Sequence, residues 1–296
     1  VDSSDMAFQT AARIGIVEGL PQCQPVLLEP IHLVEIVCPT DATAKMNAIL
    51  SVRRGQILGL DTREGWNGWD VVRAQTLETQ SSMTPALALQ YLKEGNQRFV
   101  NNLKASRNLL QQVNETREGQ WPFAVILSCI DSRTSAELIF DQGLGDVFSI
   151  RIAGNVVNTD IIGSIEFACK VAGSRLIVVL GHSKCGAVKG ACDHVEMGNL
   201  TELLAKIQPA VYLETTTSDK DSRNSGNEKF VENVASLNVK RSVRSIVERS
   251  FILEQMIGKG EIAIIGGKHD LDSGAVEFYA DTLLSSQADM QRKLGG

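Results

Sequence analysis

The 296-residue sequence lacks both a long hydrophobic run and an excess of positive charge. Apolar stretches such as "LIVVLG" and "IAIIGG" have the length of buried strands, well short of the roughly 20 residues that span a bilayer. A formal net charge of −6 argues against a broad nucleic-acid-binding surface. The opening "VDSSDMAFQT" has neither a basic start nor an apolar core, so we predict no secretory signal and no membrane partner. With 43% hydrophobic and 22% charged residues, the composition is typical of a globular protein of one large domain or two.

Cysteine is also scarce, and its six positions are too few for a disulfide scaffold in a chain of this length. They are Cys23, Cys38, Cys129, Cys169, Cys185 and Cys192. We therefore predict reduced thiols in the cytoplasm, with a subset available to bind metal. The sequence contains no GxxxxGK[ST] motif, which argues against a GTPase with a phosphate-binding loop.

A change of pattern near residues 76–84 predicts a domain boundary. The stretch "TLETQSSMTP" is polar and without periodicity, and Thr84 followed by Pro85 is typical of a helix start. The predicted organisation is a first segment at 1–76, a linker at 77–83 and a main domain at 84–296. We expect little burial in the linker, preferential proteolysis between about Ala74 and Met83, and little contribution of residues 1–82 to stability.

Strands and helices alternate along the main domain. The predicted strands are "FAVILSC", "DVFSIRIAG", "RLIVVLG" and "EIAIIGG", each followed or preceded by a helical pattern. This alternation predicts an α/β fold with a mostly parallel sheet and flanking helices. The polar residues 215–227 are expected to form a mobile loop, and His269 is expected in a turn without a role. The pattern of the first segment differs from this alternation and predicts a partial α+β arrangement.

Three residues at the ends of two predicted parallel strands suggest a metal site. Cys129 ends one strand, whereas His182 and Cys185 follow another, and ligand sites form at the carboxyl ends of such strands. Cys185 would also lie at the start of a helix, where the helix dipole favours a thiolate. Two cysteines and one histidine suit zinc and leave its fourth position open, as catalysis requires. Taken alone, each of these residues would more often be structural.

Asp131 and Arg133 complete the pattern "CIDSR". Two thiolates already neutralise a zinc ion, so an acceptor beside its water would help that water to ionise. Asp131 is placed for this role, and the fork of Arg133 could hold the carboxylate away from the metal. The alternative is an ordinary surface ion pair. Cys169, Cys192 and His194 are expected to be structural or exposed.

The motifs "CIDSR" and "GHSKCGAV", with "EGNQRFV", "RIAGN" and "GSIEFA", resemble those of the β-class carbonic anhydrases over about residues 84–284. The resemblance implies zinc on Cys129, His182 and Cys185, and a catalytic pair of Asp131 and Arg133. It also implies reversible hydration of carbon dioxide to bicarbonate and assembly into a homodimer or tetramer. A zinc hydrolase of the same fold, acting on a substrate such as carbon disulfide, is the alternative.

Residues 1–76 resemble a different family, the carboxy-terminal part of bacterial elongation factor G. The resemblance rests on "VDSSDMAFQTAARIG" and on "PVLLEPIHLVEIVCPTDATAKMNAILSVRRGQILGLDTR". It implies the start of a ferredoxin-like domain without its second helix and last strand. We interpret the segment as a fusion remnant and expect no ribosome or nucleic-acid partner. Ribosome binding through this segment is the competing hypothesis.

Overall fold

The computed structural model describes residues 76–286 except 104, 106 and 108, and this part contains a five-stranded sheet. The strands are β1 (Ala124–Ser128), β2 (Val147–Arg151), β3 (Leu176–His182), β4 (Ala263–His269) and β5 (Val276–Leu284). Their order is β2-β1-β3-β4-β5, with β5 antiparallel to β4 and every other pairing parallel. The predicted α/β fold with a mostly parallel sheet is confirmed. The predicted ferredoxin-like segment lies outside the described residues.

Ten α-helices accompany this sheet in the described part of the chain. They are α1 (Leu77–Ser81), α2 (Pro85–Val100), α3 (Leu109–Glu115), α4 (Ala136–Ile139), α5 (Thr159–Glu166), α6 (Gly186–Cys192), α7 (Gly198–Ala205), α8 (Gln208–Leu213), α9 (Glu228–Arg249) and α10 (Phe251–Gly258). Short 3₁₀ turns at Ala153–Asn155 and Lys220–Ser222 and a π-helical turn at Phe167–Val171 complete the list. None of the described helices is both long and apolar enough to cross a membrane.

The two central strands are buried along their whole length because helices cover both faces of the sheet. On one face, Ile126 of β1 and Val178 of β3 belong to a core that includes Leu92 of α2. On the other face, Val125 and Ile177 pack in a core with residues of α5, α9 and α10. Burial on both sides explains why β1 and β3 are continuous apolar runs. The parallel pairing of β1 with β3 places the carboxyl ends of the two strands next to each other.

The polar segment 215–227, expected to be mobile, is tied to the domain by a buried carboxylate. Glu214 has a side chain only 1% exposed, and its Oε2 lies 2.9 Å from Nη1 of Arg223. The same guanidinium donates to the carbonyl of Val211 and stacks over the ring of Phe230. One buried ion pair thus orders a segment whose composition is typical of a mobile loop.

The linker assignment of residues 77–83 stays a prediction: most of these residues are exposed, as expected, but Gln80 and Met83 are buried. Leu77–Ser81 form helix α1, and Gln80 is only 6% exposed. Its Nε2 donates to the carbonyls of Pro122 at 2.9 Å and Ala172 at 2.8 Å. Met83 lies in the core beside α2. The chain therefore packs against the main domain from residue 80 onward, and the boundaries at 76 and 84 remain a proposal.

Replacing Gln80 by alanine should lower the free energy of unfolding by about 1–3 kcal/mol, because two carbonyl oxygens lose their amide donor. Ser81→Ala, one residue further along the same helix at an exposed position, should change it by less than about 0.5 kcal/mol. Chemical denaturation of the two variants and the parent chain measures this difference. Equal denaturation midpoints for the two variants and the parent chain would favour the interpretation of residues 77–83 as a linker.

Candidate metal centre

Cys129, His182 and Cys185 meet at the carboxyl ends of two neighbouring strands. Cys129 follows β1 directly, His182 is the last residue of β3, and Cys185 caps the amino terminus of α6. All three side chains are buried, and their potential ligand atoms lie within 4.8 Å of one another. Among the described residues, this is the one such group of histidine, cysteine and carboxylate side chains. The strand-end argument from the sequence therefore placed these three residues correctly in space.

The geometry of the cluster fits a tetrahedral zinc ion. Two Zn–S bonds of 2.3 Å in a tetrahedral arrangement place the sulfurs about 3.8 Å apart, and the two Sγ atoms lie 4.0 Å apart. The Nδ1 atom of His182 is 2.9 Å from the carbonyl oxygen of Ser183, whereas its Nε2 is buried without a protein partner. A proton held on Nδ1 leaves the Nε2 lone pair as the ligand atom. Two thiols and one imidazole form the soft donor set that zinc favours.

The two thiols titrate as a pair because they share a hydrogen bond. The pKa of Cys129 is lowered, chiefly by the hydrogen bond with Cys185, while burial opposes the shift and His182 and the Gly154 N–H assist it. The pKa of Cys185 is raised by the same hydrogen bond and by burial. Cys129 therefore loses its proton readily, whereas Cys185 keeps its proton. A divalent cation between the sulfurs would stabilise both as thiolates.

A glycine in the "RIAGN" stretch provides a backbone donor to Cys129. The N–H of Gly154 lies 3.3 Å from the Cys129 Sγ. Gly154 has φ +66°, and a Cβ there would lie 2.6 Å from Cδ1 of Ile207, so both the conformation and the space demand glycine. The sequence patterns gave this residue no role. The available signal was a glycine in the turn that follows β2, the strand paired with β1.

Asp131 and Arg133 form a two-point ion pair next to the cluster. Nε and Nη2 of Arg133 donate to the two carboxylate oxygens of Asp131 at 2.9 and 2.8 Å, and the Arg133 backbone N–H donates to one of them at 3.0 Å. The pKa of Asp131 is held well below its usual range, first by the hydrogen bond from the Arg133 side chain. With both oxygens engaged, the carboxylate lies outside the group of potential metal ligands. This is the arrangement that the spacing of "CIDSR" predicts.

Arg151, at the end of β2, holds the backbone of the same loop. Its Nε donates to the carbonyl of Cys129 at 3.0 Å and its Nη2 to the carbonyl of Asp131 at 2.6 Å. Thr134 adds a hydroxyl donor to the Asp131 carbonyl at 3.0 Å. The loop that carries both a candidate ligand and the carboxylate is thus fixed at its backbone. Sequence reasoning did not identify Arg151 or Thr134.

The expectation that His269 sits in a turn is wrong. His269 is the last residue of β4, lies opposite His182 in the register of the sheet, and is 3% exposed. Its carbonyl accepts from the N–H of Ser183 at 3.0 Å. Burial lowers the pKa of its imidazole, and the neighbouring His182 lowers it further. His269 therefore borders the metal centre as a neutral side chain.

The remaining described cysteines and His194 stay outside the centre. Cys169 and Cys192 are buried, and burial raises the pKa of each thiol to about 12. His194 is exposed and follows the end of α6 in a left-handed conformation, rather than lying within the helix. These residues match the expectation of structural or exposed positions.

The first part of the chain and the main domain match two different families. A family model described as "Elongation factor G C-terminus" matches residues 26–78. An elongation factor G-like protein of Synechocystis is 51% identical over 74 residues, which cover 25% of this chain and 11% of that protein. The resemblance of the first segment to elongation factor G is confirmed. Nearly all of this match lies outside the described residues.

The main domain matches one family in both sequence and structure. A family model described as "Carbonic anhydrase" covers residues 124–276, just over half of the chain. Carbonic anhydrase 2 of Mycobacterium tuberculosis is 38% identical over 64% of this chain and 90% of its own length. The carbonic anhydrase of Mycolicibacterium smegmatis is 36% identical over 66% and 93%.

Solved structures give the same result. The β-carbonic anhydrase CafA of Aspergillus fumigatus superposes with a TM-score of 0.52 at 25% identity, covering 71% of this chain and 95% of that one. For the fold alone, a tetrameric β-carbonic anhydrase of Sordaria macrospora has a TM-score of 0.50 at 24% identity, covering 65% and 94%. The chain therefore belongs to the β-carbonic anhydrase family of enzymes.

Proposed function

We propose that this enzyme catalyses the reversible hydration of carbon dioxide with a zinc ion held by Cys129, His182 and Cys185. The observation that carries the proposal is the buried cluster with its sulfurs 4.0 Å apart, a histidine Nε2 without a protein partner and the Asp131–Arg133 pair beside it. Family membership supports carbon dioxide as the substrate. Three protein ligands leave one position of a tetrahedral ion open to solvent or substrate.

In this proposal, the ion would supply a Lewis acid that makes water nucleophilic at neutral pH. The residues of the chain then have separate tasks. Asp131 stays ionised and presents remaining lone pairs as hydrogen-bond acceptors, which orient a reactant hydroxyl toward the substrate. Arg133 occupies both Asp131 oxygens and so keeps the carboxylate from taking the open position itself. Arg151 holds the Cys129 and Asp131 carbonyls, which fixes the distance between the ligand and the carboxylate.

Stopped-flow measurement of carbon dioxide hydration tests the proposed reaction. We expect rapid hydration by the zinc-loaded chain and little hydrolysis of carbon disulfide in a parallel assay. Fast release of sulfide from carbon disulfide, with no acceleration of carbon dioxide hydration, would contradict the proposal and favour the alternative substrate. The same zinc-loaded sample serves both assays, so a difference between them reports substrate preference alone.

We also propose that the enzyme is a homodimer or tetramer. Strand β2 is one of the two edge strands of the sheet, and its residues are only partly buried or exposed. Phe148 and Ile150 of this strand lie beside Phe167, which is 50% exposed. An edge strand with apolar neighbours is a surface that pairing with a second copy would cover. The tetrameric Sordaria relative supports self-association, and the molar mass in solution measures its size.

The four described cysteines are all free thiols. Free thiols persist in a reducing compartment, which supports a cytoplasmic location for the enzyme. Two of them, Cys129 and Cys185, lie close enough to share a hydrogen bond. We propose that the reducing environment keeps this pair available to the metal.

A further inference from the structure

The short loop between two of the proposed ligands has a strained backbone. His182 and Cys185 are separated by Ser183 and Lys184, and Lys184 has φ +58°. A lysine is less stable in this left-handed conformation than in a helical or extended one. The conformation turns the chain so that the Cys185 side chain comes back toward His182. A contact from outside the loop is therefore expected to stabilise the left-handed conformation of Lys184.

Glu232 of helix α9 makes that contact. Its Oε1 accepts the backbone N–H of Lys184 at 3.0 Å, and its Oε2 accepts from Nζ of Lys268 at 2.9 Å. The side chains of Glu232 and Lys268 are 23% and 21% exposed, so their ion pair is largely shielded from solvent. The carboxylate thus joins the ligand loop to helix α9 and to strand β4. The second bond of Lys184, from its Nζ to Asp272, is more exposed.

The same helix also holds the other half of the centre. Asn238 donates from Nδ2 to the carbonyl of Gly154 at 2.8 Å, and the Ser242 hydroxyl donates to the carbonyl of Asn155 at 3.2 Å. Gly154 is the residue whose N–H reaches the Cys129 sulfur. Helix α9 therefore contacts the backbone beside both thiols. Glu232 is its charged contact on the His182–Cys185 side.

We propose that Glu232 is a positioning residue of the metal centre, which holds the Lys184 N–H so that His182 and Cys185 converge on one ion. The inference rests on the proposed zinc site. A carboxylate acceptor makes a stronger bond to a backbone N–H than a neutral one. Without it, the left-handed Lys184 loses its support and the loop relaxes. The ligand atoms then separate, and the centre releases its metal faster.

The test compares zinc release to a chromophoric chelator in the full chain and three variants. Glu232→Met removes the acceptor at similar size, and Glu232→Gln keeps an acceptor oxygen without the charge. Lys240→Ala is the matched control, because Lys240 lies on the same helix as Glu232 and its ion pair with Asp281 of β5 is more exposed. We expect release about tenfold faster for Glu232→Met, a partial rescue by Gln, and a parent-like rate for Lys240→Ala.

A second measurement separates positioning from general loosening. The absorption of Co²⁺ in place of zinc reports the geometry of its thiolate ligands, and we expect a changed spectrum for Glu232→Met but not for Lys240→Ala. Circular dichroism checks folding. If Glu232→Met does not fold, Glu232→Asp, which withdraws the carboxylate by one methylene, replaces it under the same criteria.

Parent-like release and spectrum in the Met variant would overturn the inference. Equal acceleration by Lys240→Ala, or a Gln variant no better than Met, would overturn it as well. A parent chain that binds no zinc would instead refute the proposed function. The two failures are therefore distinguishable.

Discussion

Replacing Cys129 or Cys185 by serine should abolish zinc binding and carbon dioxide hydration together. A serine hydroxyl stays protonated at neutral pH, whereas a cysteine beside a cation is a thiolate, so each substitution removes an anionic ligand. Only two protein ligands would remain, too few for a stable zinc site. Zinc content by atomic emission and hydration by stopped flow are measured on the same preparations. We expect zinc near zero per chain and hydration at the uncatalysed rate.

Cys192→Ala is the matched control for this experiment. Cys192 is 1% exposed and packs in the same hydrophobic cluster as Cys129 and Cys185, but it lies outside the metal group. Its replacement should cost some stability and leave one zinc per chain with full activity. Full zinc occupancy in both serine variants would contradict the ligand assignment. Loss of zinc in the control would show that packing of this cluster, rather than the thiols, governs metal binding.

Arg133→Ala should keep its zinc and lose hydration activity by about 100-fold or more. The substitution removes both side-chain donors to Asp131, which frees the carboxylate to enter the open position of the metal. Arg117→Ala provides a control, since Arg117 forms an exposed ion pair with Glu118 that contributes little to stability and includes no residue of the site. Zinc content and kcat are measured for both variants. An Arg133 variant as active as the parent would contradict the proposed role of the pair.

The pH dependence of this effect follows from the direction of the Asp131 shift. Arg133 lowers the pKa of Asp131, so the pair is intact above the usual carboxyl pKa of about 4. The ion pair is lost only as the pH falls through the still lower pKa that Asp131 has in the folded protein. Protonation of Asp131 therefore does not limit activity near neutral pH. Any decline of hydration between about pH 8 and 6 belongs to another group.

The sequence predicted that Cys129, His182 and Cys185 lie together because the information for this cluster is local. Cys129 and His182 stand at the ends of apolar runs, and a parallel sheet necessarily brings such ends to one edge. The Asp131–Arg133 pair is likewise local, since only Ser132 stands between its two members. Residue spacing and the positions of strand ends were sufficient to predict both.

What the sequence did not reveal depends on contacts between distant residues. Gln80 looked like part of a linker because its partners, Pro122 and Ala172, are 42 and 92 positions away. Glu232 reads as one more charge on a long helix until its contact with Lys184, 48 positions earlier, is seen. The burial of His269 follows from the pairing of β4 with β3. Strand β5 was not predicted, because it is half-exposed and has no continuous apolar run. No local pattern encodes such pairings.

In the proposed function, one zinc ion on Cys129, His182 and Cys185 carries the hydration activity. The most direct measurement removes metal from the full chain with a chelator, returns zinc in steps, and follows hydration and bound zinc together. We predict that activity disappears with the metal and rises linearly until one zinc is bound per chain, then stays constant. Full hydration activity in the metal-free chain, or no recovery with one zinc bound, would contradict the account.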